Sequence, residues 1–104
     1  MNSVKISGML VNDVPVYYTP AGQAVLNFNL LVEDEGSTNF ISVIARGKIA
    51  EKCREYLKKG NKIFVEGKLQ NREYNTVEGE HKIVLEVVAE KIEISQSSKL
   101  RGRK

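Results

Sequence analysis

Apolar and polar residues alternate along most of this chain, and a spacing of two strongly restricts what it can fold into. The alternation runs through VKISGML at 4–10, AVLNFNLLV at 24–32, FISVIAR at 40–46 and KIFVEGKLQNREY at 62–74. Successive side chains of a β-strand point to opposite faces, so each segment predicts a half-buried strand. The segment HKIVLEVVAEKIEIS at 81–95 predicts one long strand, or two joined near Ala89.

The period changes once, in GKIAEKCREYLKKGN at 47–61. Apolar residues there fall at 49, 50, 53, 56 and 57, which is a helical stripe, and Gly60 is predicted to end the helix. The connection NDVPVYYTPAGQ at 12–23 contains Pro15, Pro20 and Gly22, which predict a loop. Polar turns are expected at EDEGST and near Gly79.

This order of elements predicts an all-β fold. Three strands, one short helix and two or three further strands do not match the alternation of a parallel α/β sheet. They fit a five-stranded Greek-key barrel of the oligonucleotide/oligosaccharide-binding (OB) type, with the short helix between strands three and four. Glycines within strands, Gly8 and Gly67, suit tightly curved strands. A small β-sandwich and other barrels remain compatible with the pattern alone.

Length and charge indicate one domain and a tail. With 104 residues and 41% hydrophobic content, the chain suits a single core over residues 1–95, followed by a basic tail at 96–104 that is predicted to be disordered. The whole chain carries a net charge of +3, of which the tail supplies +4, so residues 1–95 carry −1. Any cationic surface on the domain must therefore come from the placement of charge.

Targeting signals and disulfides are not visible in the sequence. No apolar run approaches the roughly 20 residues of a membrane span, and MNSVKISGML does not resemble a signal peptide. The single cysteine, Cys53, cannot form an internal disulfide. These features predict a cytoplasmic protein without membrane association.

The outward faces of the predicted strands carry aromatic rings, cations and amides. Phe40 and Arg46 share the face opposite the core of the third strand, and Asn27 and Asn29 face outward on the second. On the fourth strand, Ile63, Val65, Gly67 and Leu69 are predicted to face the core, and the opposite face carries Lys68, Gln70, Arg72 and Tyr74. Stacking rings beside a cationic track suit single-stranded nucleic acid. Without further information, alternating charges equally suit a solvated edge strand.

These segments resemble the bacterial single-stranded DNA-binding protein family along residues 2–95. The resemblance is carried by YTPAG at 18–22, VLNFNL at 25–30, ARGKIAEKCREYLKKGNKIFVEGKLQNREY at 45–74 and LEVVAEKIEI at 85–94. It implies an OB fold and sequence-independent binding and protection of single-stranded DNA in replication, recombination or repair. It also implies a homo-oligomer, commonly a tetramer, without catalysis or cofactor.

The resemblance also implies roles for individual residues. Phe40 and Tyr74 match positions where the family stacks bases, usually on tryptophan, and Lys48, Lys59 and Arg72 match basic positions near the DNA path. Together with the outward residues of the strands, the expected nucleic-acid-binding set is Asn27, Asn29, Phe40, Arg46, Lys48, Lys59, Lys68, Arg72 and Tyr74.

Four departures from the family pattern stand out. Arg46 occupies a position that is a stacking phenylalanine in many relatives, and EDEGST is too short to carry a further aromatic. Tyr17 stands where a basic residue is common. The end SSKLRGRK is basic, where the family has an acidic tip that recruits repair proteins, so the sequence reads as a short form without that recruitment. Since a guanidinium can stack on bases and pair with phosphates, we expect Arg46 to replace part of the lost stacking and to steepen the salt dependence of binding.

Several other side chains have structural interpretations. Cys53 is predicted to be a buried small hydrophobe, and Phe64 to pack against another subunit. Tyr17 and Tyr18 are either loop packing or outer DNA contacts, with a structural role favoured for Tyr18.

No motif in the sequence predicts catalysis, a metal or a cofactor. His81 is the only histidine, and no phosphate loop or acid–base pair of carboxylates is apparent. Two alternative functions remain open. One is a specialised OB module, such as a primosomal replication protein or an RNA binder. The other is a protein-assembly subunit whose outward aromatics are buried by a partner.

Overall fold

The computed structural model describes residues 1–95, which form six strands and one short helix. The strands are β1 (Val4–Leu10), β2 (Val16–Tyr18), β3 (Ala24–Asp34), β4 (Ser37–Arg46), β5 (Lys62–Asn75) and β6 (His81–Ile94). Helix α1 (Lys48–Cys53) lies between β4 and β5. The basic tail predicted at 96–104 lies outside the described residues.

Five of the strands close into a ring. Their order is β1–β5–β6–β4–β3, and β3 pairs back onto β1 at Met9–Leu31 and Leu10–Leu30. The β4–β6 pairing is parallel, and the other pairings are antiparallel. This closed ring, with its helix between β4 and β5, confirms the predicted five-stranded OB barrel.

The core lies inside the ring, where the alternation of the sequence predicted it. The buried residues from the strands are Leu10, Ala24, Leu26, Phe28, Leu30, Val43, Ala45, Ile63, Val65, Val87 and Ala89. From α1 and the turn after it come Ala50, Cys53 and Leu57. Cys53 donates from Sγ to the Ile49 carbonyl at 3.0 Å, and burial raises the pKa of its thiol. It is therefore a buried small hydrophobe, as predicted.

Two strand glycines are required by close backbone approaches. A Cβ on Gly67 would overlap the carbonyl oxygen of Val88 on β6, and one on Gly8 would lie 2.5 Å from the carbonyl oxygen of Leu31 on β3. At Gly67 the β5–β6 register also shifts: Gly67 pairs with Ala89, but Glu66 pairs with Lys91. Glu90 is thus an extra residue in β6, a bulge that bends the ribbon near the predicted junction.

The helix is shorter than its apolar stripe predicted. α1 ends at Cys53, and the chain continues as a turn in which the Tyr56 N–H donates to the Cys53 carbonyl. Leu57 is still buried, but Tyr56 is 55% exposed. Gly60 has a φ of 91° and donates its N–H to the Leu10 carbonyl, so it ends this turn and not the helix.

The predicted loop at 12–23 contains a strand. Val16–Tyr18 pairs with the first residues of β3, with Tyr17 opposite Val25. Pro15 and Pro20 flank the three paired residues, so neither removes an N–H from the ladder. β2 occupies the edge of β3 outside the five-stranded ring.

Leu69 is not in the core, contrary to the sequence prediction. It follows Ile63, Val65 and Gly67 on the inward side of β5, but it is 44% exposed. The pairing of β5 with β1 ends at Gly67, so Leu69 lies where the inward side of β5 is no longer covered by β1, although its partner Val87 on β6 is still in the core. Ile83 and Leu85, on the same side of β6, are also exposed.

No helix within residues 1–95 is long and apolar enough to cross a lipid bilayer.

Candidate nucleic-acid interface

The outward sides of β3 and β4 form one surface. Directly paired residues of neighbouring strands point to the same side of a sheet. Asn27 pairs with Ile44 and Asn29 with Ser42, so the two asparagines lie on the same side as Phe40 and Arg46. The alternate residues of both strands are buried in the core, which leaves these side chains facing out.

Strand β6 extends this surface. It lies between β4 and β5, so the third and fourth predicted strands are not neighbours in the sheet. The reason is the parallel pairing of β6 with β4, in which Val88 lies beside Ile44. Because Val88 also pairs with Lys68, the outward sides of β4 and β5 remain continuous across β6.

Strand β5 completes the surface with the residues that the sequence placed together. Its outward residues pair with β6 as Lys68–Val88, Gln70–Glu86, Arg72–Val84 and Tyr74–Lys82. We call the resulting four-stranded surface the outer face. It consists of Asn27, Asn29, Phe40, Ser42, Ile44, Arg46, Lys68, Gln70, Arg72, Tyr74, Lys82, Val84, Glu86 and Val88.

The two predicted stacking rings are exposed on the outer face. Phe40 is 65% exposed on β4, and Tyr74 is 43% exposed near the end of β5. Neither ring belongs to the core cluster. A large apolar ring that folding leaves in water is available to a ligand or a partner.

Arg72 is tied to a buried carboxylate. Its Nε lies 3.4 Å and 3.3 Å from the two carboxylate oxygens of Glu86, which is only 1% exposed although it lies on the outer face. The Arg72 guanidinium also lies 5.7 Å from the centroid of the Tyr74 ring. Arg72 therefore both neutralises Glu86 and supports Tyr74 through a cation–π contact.

The remaining cations differ in how free they are. Among residues 1–95, Arg46, Lys48 and Lys59 form no ion pair, so their charges are available to a ligand. Lys68 contacts Glu90 at 3.6 Å, but both side chains are more than half exposed. An exposed pair of this kind is weak, and a phosphate could replace the carboxylate.

A model of the Single-strand binding protein family matches residues 1–95. The chain belongs to this family.

Relatives at 38% identity include Single-stranded DNA-binding protein 2 of Listeria innocua and the Single-stranded DNA-binding proteins of Halalkalibacterium halodurans and Bacillus cereus. Each alignment spans 100 residues and 89% of this chain, but only 63%, 60% and 59% of the respective relatives. The chain therefore matches about three-fifths of the length of these family members.

In this member of the single-strand binding protein family, the structure brings seven of the nine predicted residues together. The outer face contains Asn27, Asn29, Phe40, Arg46, Lys68, Arg72 and Tyr74. Lys48 is the first residue of α1, just beyond the end of β4, and is exposed near Arg46. Lys59 precedes β5, at the opposite end of that strand from Tyr74, where its N–H donates to Asp13 at 2.8 Å. The register therefore does not place Lys59 on the outer face.

One aromatic residue beside the outer face was not among the nine. Tyr17 pairs with Val25, and Val25 pairs with Arg46, so the three residues form one row across β2, β3 and β4. The sequence signal was present, because Tyr17 is a departure from the family pattern. Its position beside the outer face follows from β2, a strand in the segment that the sequence predicted to be a loop.

Tyr18 has a structural contact, in keeping with its predicted role. Its hydroxyl accepts a hydrogen bond from Arg54 Nη1 at 2.8 Å. This contact joins β2 to the segment that follows α1.

Proposed function

We propose that this chain binds single-stranded DNA on the outer face without base-sequence preference, and protects it during replication, recombination or repair. The observation that supports this most is the exposure of Phe40 and Tyr74 on one continuous surface with amides and cations. Bases stack on the rings, and phosphates pair with Arg46, Lys48 and Lys68. The relatives named for single-stranded DNA binding support the same ligand.

Sequence independence follows from the chemistry of the surface. Every base has a flat face, and stacking contributes about 1–3 kcal/mol per base. Phosphates are common to all sequences, so cations contact them equally in each. The amides of Asn27 and Asn29 can accept or donate to the sugar–phosphate chain, although Asn27 Nδ2 already lies 3.5 Å from the Val43 carbonyl. The role is binding, and the proposal requires no catalytic step.

We further propose that the chain is a homo-oligomer, with a tetramer favoured. Beyond the bulge, the inward side of the β5–β6 hairpin exposes Leu69, Ile83 and Leu85. Three large apolar side chains in water on one side of a ribbon support burial against another copy. Phe64, half-buried on the outward side of β5, adds a second apolar contact.

The deciding experiment measures binding of a labelled oligothymidine by fluorescence anisotropy at two salt concentrations. We expect Phe40→Ala and Tyr74→Ala each to weaken binding by about 1–3 kcal/mol, because each removes one stacking ring. Tyr56→Ala is the matched control, since Tyr56 is a 55% exposed aromatic outside the outer face. The same titration with matched RNA and with duplex DNA tests the preference for single-stranded DNA.

Light scattering on the same variants separates binding from assembly. The assembly alternative predicts that Phe40→Ala or Tyr74→Ala lowers the oligomer mass before it affects any ligand. Failure of the unmodified protein to bind oligothymidine at near-physiological salt would overturn the proposed function. An RNA affinity well above the DNA affinity would instead support an RNA-binding module.

A further inference from the structure

A third exposed ring lies in line with an unpaired cation at the edge of the outer face. Tyr17 of β2 is 59% exposed and lies directly opposite Val25 of β3, which in turn lies directly opposite Arg46 of β4. The three side chains point to the same side of the sheet because they are cross-strand partners. The row thus continues the outer face by one strand beyond β3.

The Tyr17 side chain is more exposed than buried in the part of the chain that the structure describes. Its hydroxyl has no hydrogen-bond partner within residues 1–95, and the ring is not part of the core cluster. The neighbouring Tyr18, in contrast, accepts a hydrogen bond from Arg54. Two adjacent tyrosines therefore differ: one is bound to the protein, and the other is left in water.

The strand that carries Tyr17 is held in place. β2 pairs with β3 over three residues, and Tyr18 joins β2 to Arg54. Thr19 closes the turn that follows: its N–H donates to the Gln23 carbonyl, and its hydroxyl accepts from the Gln23 N–H. A ring on a fixed backbone loses little conformational freedom when a ligand stacks on it. Tyr17 is thus a preorganised platform.

The spacing of the row suits nucleotides that lie a few positions apart in one strand. Neighbouring strands lie about 4.8 Å apart, so the backbones that carry Tyr17 and Arg46 are separated by about 10 Å. Val25 between them is apolar and half-buried, so part of its side chain remains exposed to a base or sugar. A base on Tyr17 and the phosphate of a nearby nucleotide on Arg46 can therefore be bound together, since stacked nucleotides of one strand are about 3.4 Å apart.

We propose that Tyr17 is a base-stacking residue that extends the single-stranded DNA site across β3 to the edge strand β2, with Arg46 holding a nearby phosphate of the same DNA strand. This inference rests on the proposed function and adds a third stacking position to those of Phe40 and Tyr74. In this arrangement, the single-stranded DNA enters or leaves the protein over β2.

Substitutions of Tyr17 test the stacking directly. Tyr17→Ala and Tyr17→Leu are expected to weaken binding of a long oligothymidine on the order of 5- to 100-fold, since both remove the aromatic ring. Tyr17→Phe is expected to bind like the unmodified protein, because the hydroxyl has no partner in the described structure. Unchanged affinity in Tyr17→Ala, while Phe40→Ala weakens binding, would overturn the inference and leave the proposed function intact.

A fluorescent reporter provides a second measurement. The chain contains no tryptophan, so Tyr17→Trp introduces a single indole at the proposed platform. Stacking by a base is expected to quench that indole when oligothymidine binds, whereas the matched reporter Tyr56→Trp is expected to stay unquenched. Equal responses from the two reporters, in complexes that anisotropy shows to be formed, would contradict stacking on Tyr17.

The remaining outcomes are also decisive. If no variant and no unmodified protein binds oligothymidine, the proposed function fails first, and the inference fails with it. Because β2 is an edge strand, it could instead pair with another copy of the chain. A lower mass of Tyr17→Ala by light scattering, with unchanged DNA affinity per folded subunit, would assign Tyr17 to assembly and reject the stacking role.

Discussion

At the scale of single residues, Arg72 differs most from its predicted role. The sequence places it in a ladder of cations, as a phosphate contact. In the structure its Nε is shared between both oxygens of the buried Glu86, and its guanidinium supports the Tyr74 ring. A guanidinium has further N–H donors, so a phosphate can still bind it. Its first effect, however, is to satisfy a carboxylate that would otherwise be buried without a partner.

Replacing Arg72 with methionine is therefore expected to destabilise the fold by about 1–3 kcal/mol, since it leaves the buried Glu86 unpaired. The double variant Arg72→Met/Glu86→Gln is expected to regain part of this loss, because it removes the buried charge as well. Urea unfolding followed by circular dichroism measures both.

Lys68→Met is the matched control. It removes an outer-face cation whose carboxylate partner, Glu90, is more than half exposed. We therefore expect the free energy of unfolding to change by less than about 1 kcal/mol. Equal losses of unfolding free energy in Arg72→Met and Lys68→Met would show that the Arg72–Glu86 pair stabilises the fold no more than an exposed ion pair does.

At the scale of elements, the β5–β6 hairpin decides the shape of the outer face. Up to Gly67 β5 closes the barrel against β1, and beyond the buried Val87 of β6 the hairpin continues without a core beneath it. The extra residue Glu90 and the close approach of Gly67 to Val88 mark the change. Tyr74 and Arg72 are thus carried past the barrel on a bent ribbon, where Leu69 becomes exposed.

Gly67→Ala is expected to destabilise the protein by more than about 1 kcal/mol, because the new Cβ overlaps the Val88 backbone and the ribbon must shift. Gly79→Ala is the comparison. Gly79 lies in the hairpin turn with a φ of 92° and open space around its Cβ, so only the left-handed backbone is penalised, by about 1 kcal/mol.

Thermal unfolding ranks the two variants, with Gly67→Ala expected to melt lower. The backbone shift forced by Gly67→Ala lies between Val65 and the outer-face residues of β5. It should therefore displace those residues and also weaken oligothymidine binding. The reverse order of melting temperatures would contradict the importance of the close approach.

At the scale of the whole molecule, charge placement matters more than net charge. Residues 1–95 carry a net charge of −1, and the end of β3 and the turn that follows it are acidic, with Glu33, Asp34 and Glu35 together. The unpaired cations Arg46 and Lys48 lie at the other end of β4. We expect the phosphate chain to follow the cationic end and to avoid the acidic turn.

The dependence of affinity on salt tests this placement. Each cation that neutralises a phosphate of single-stranded DNA contributes about −0.7 to the slope of log affinity against log salt. Arg46→Gln and Lys48→Gln are each expected to make the slope less steep by about 0.7. Lys52→Gln, which changes an exposed lysine of α1 outside the outer face, is expected to leave it unchanged.

Two comparisons extend the salt measurement. With Arg46 in place of a ring, the slope for the unmodified chain is expected to be steeper than for tryptophan-bearing relatives, and an equal or shallower slope would contradict this. Deleting residues 96–104 is expected to weaken binding modestly at low salt only, since the tail carries +4.

An oligomer is the second prediction at this scale. Ile83→Lys and Leu85→Lys are expected to lower the mass measured by light scattering, because each puts a charge into the apolar side of the hairpin. Lys82→Glu changes a neighbouring outer-face residue and is expected to leave the mass unchanged. Monomeric behaviour of the unmodified chain would reject the oligomer.

The sequence alone determined five of the six strands within residues 1–95, the inward and outward sides of most of them, and the all-β class. These features are local: a period of two places Asn27, Asn29 and Phe40 outward whatever their distant neighbours are. The change to a helical period located α1, although the end of the helix depended on the turn that joins it to β5. The set of candidate residues was recovered largely for the same local reason.

Only the tertiary structure decided which strands are neighbours, and with them the details of the site. Four features depend on how segments that are distant in the chain come together. They are the position of β6 between β4 and β5, the pairing of Arg72 with Glu86, the exposure of Leu69, and the row that Tyr17 forms with Arg46. Side-chain periodicity carries no information about such pairings, because it states which side a residue takes and not which strand lies beside it. Barrel closure supplies that information, since each strand must find partners for its backbone groups on both edges.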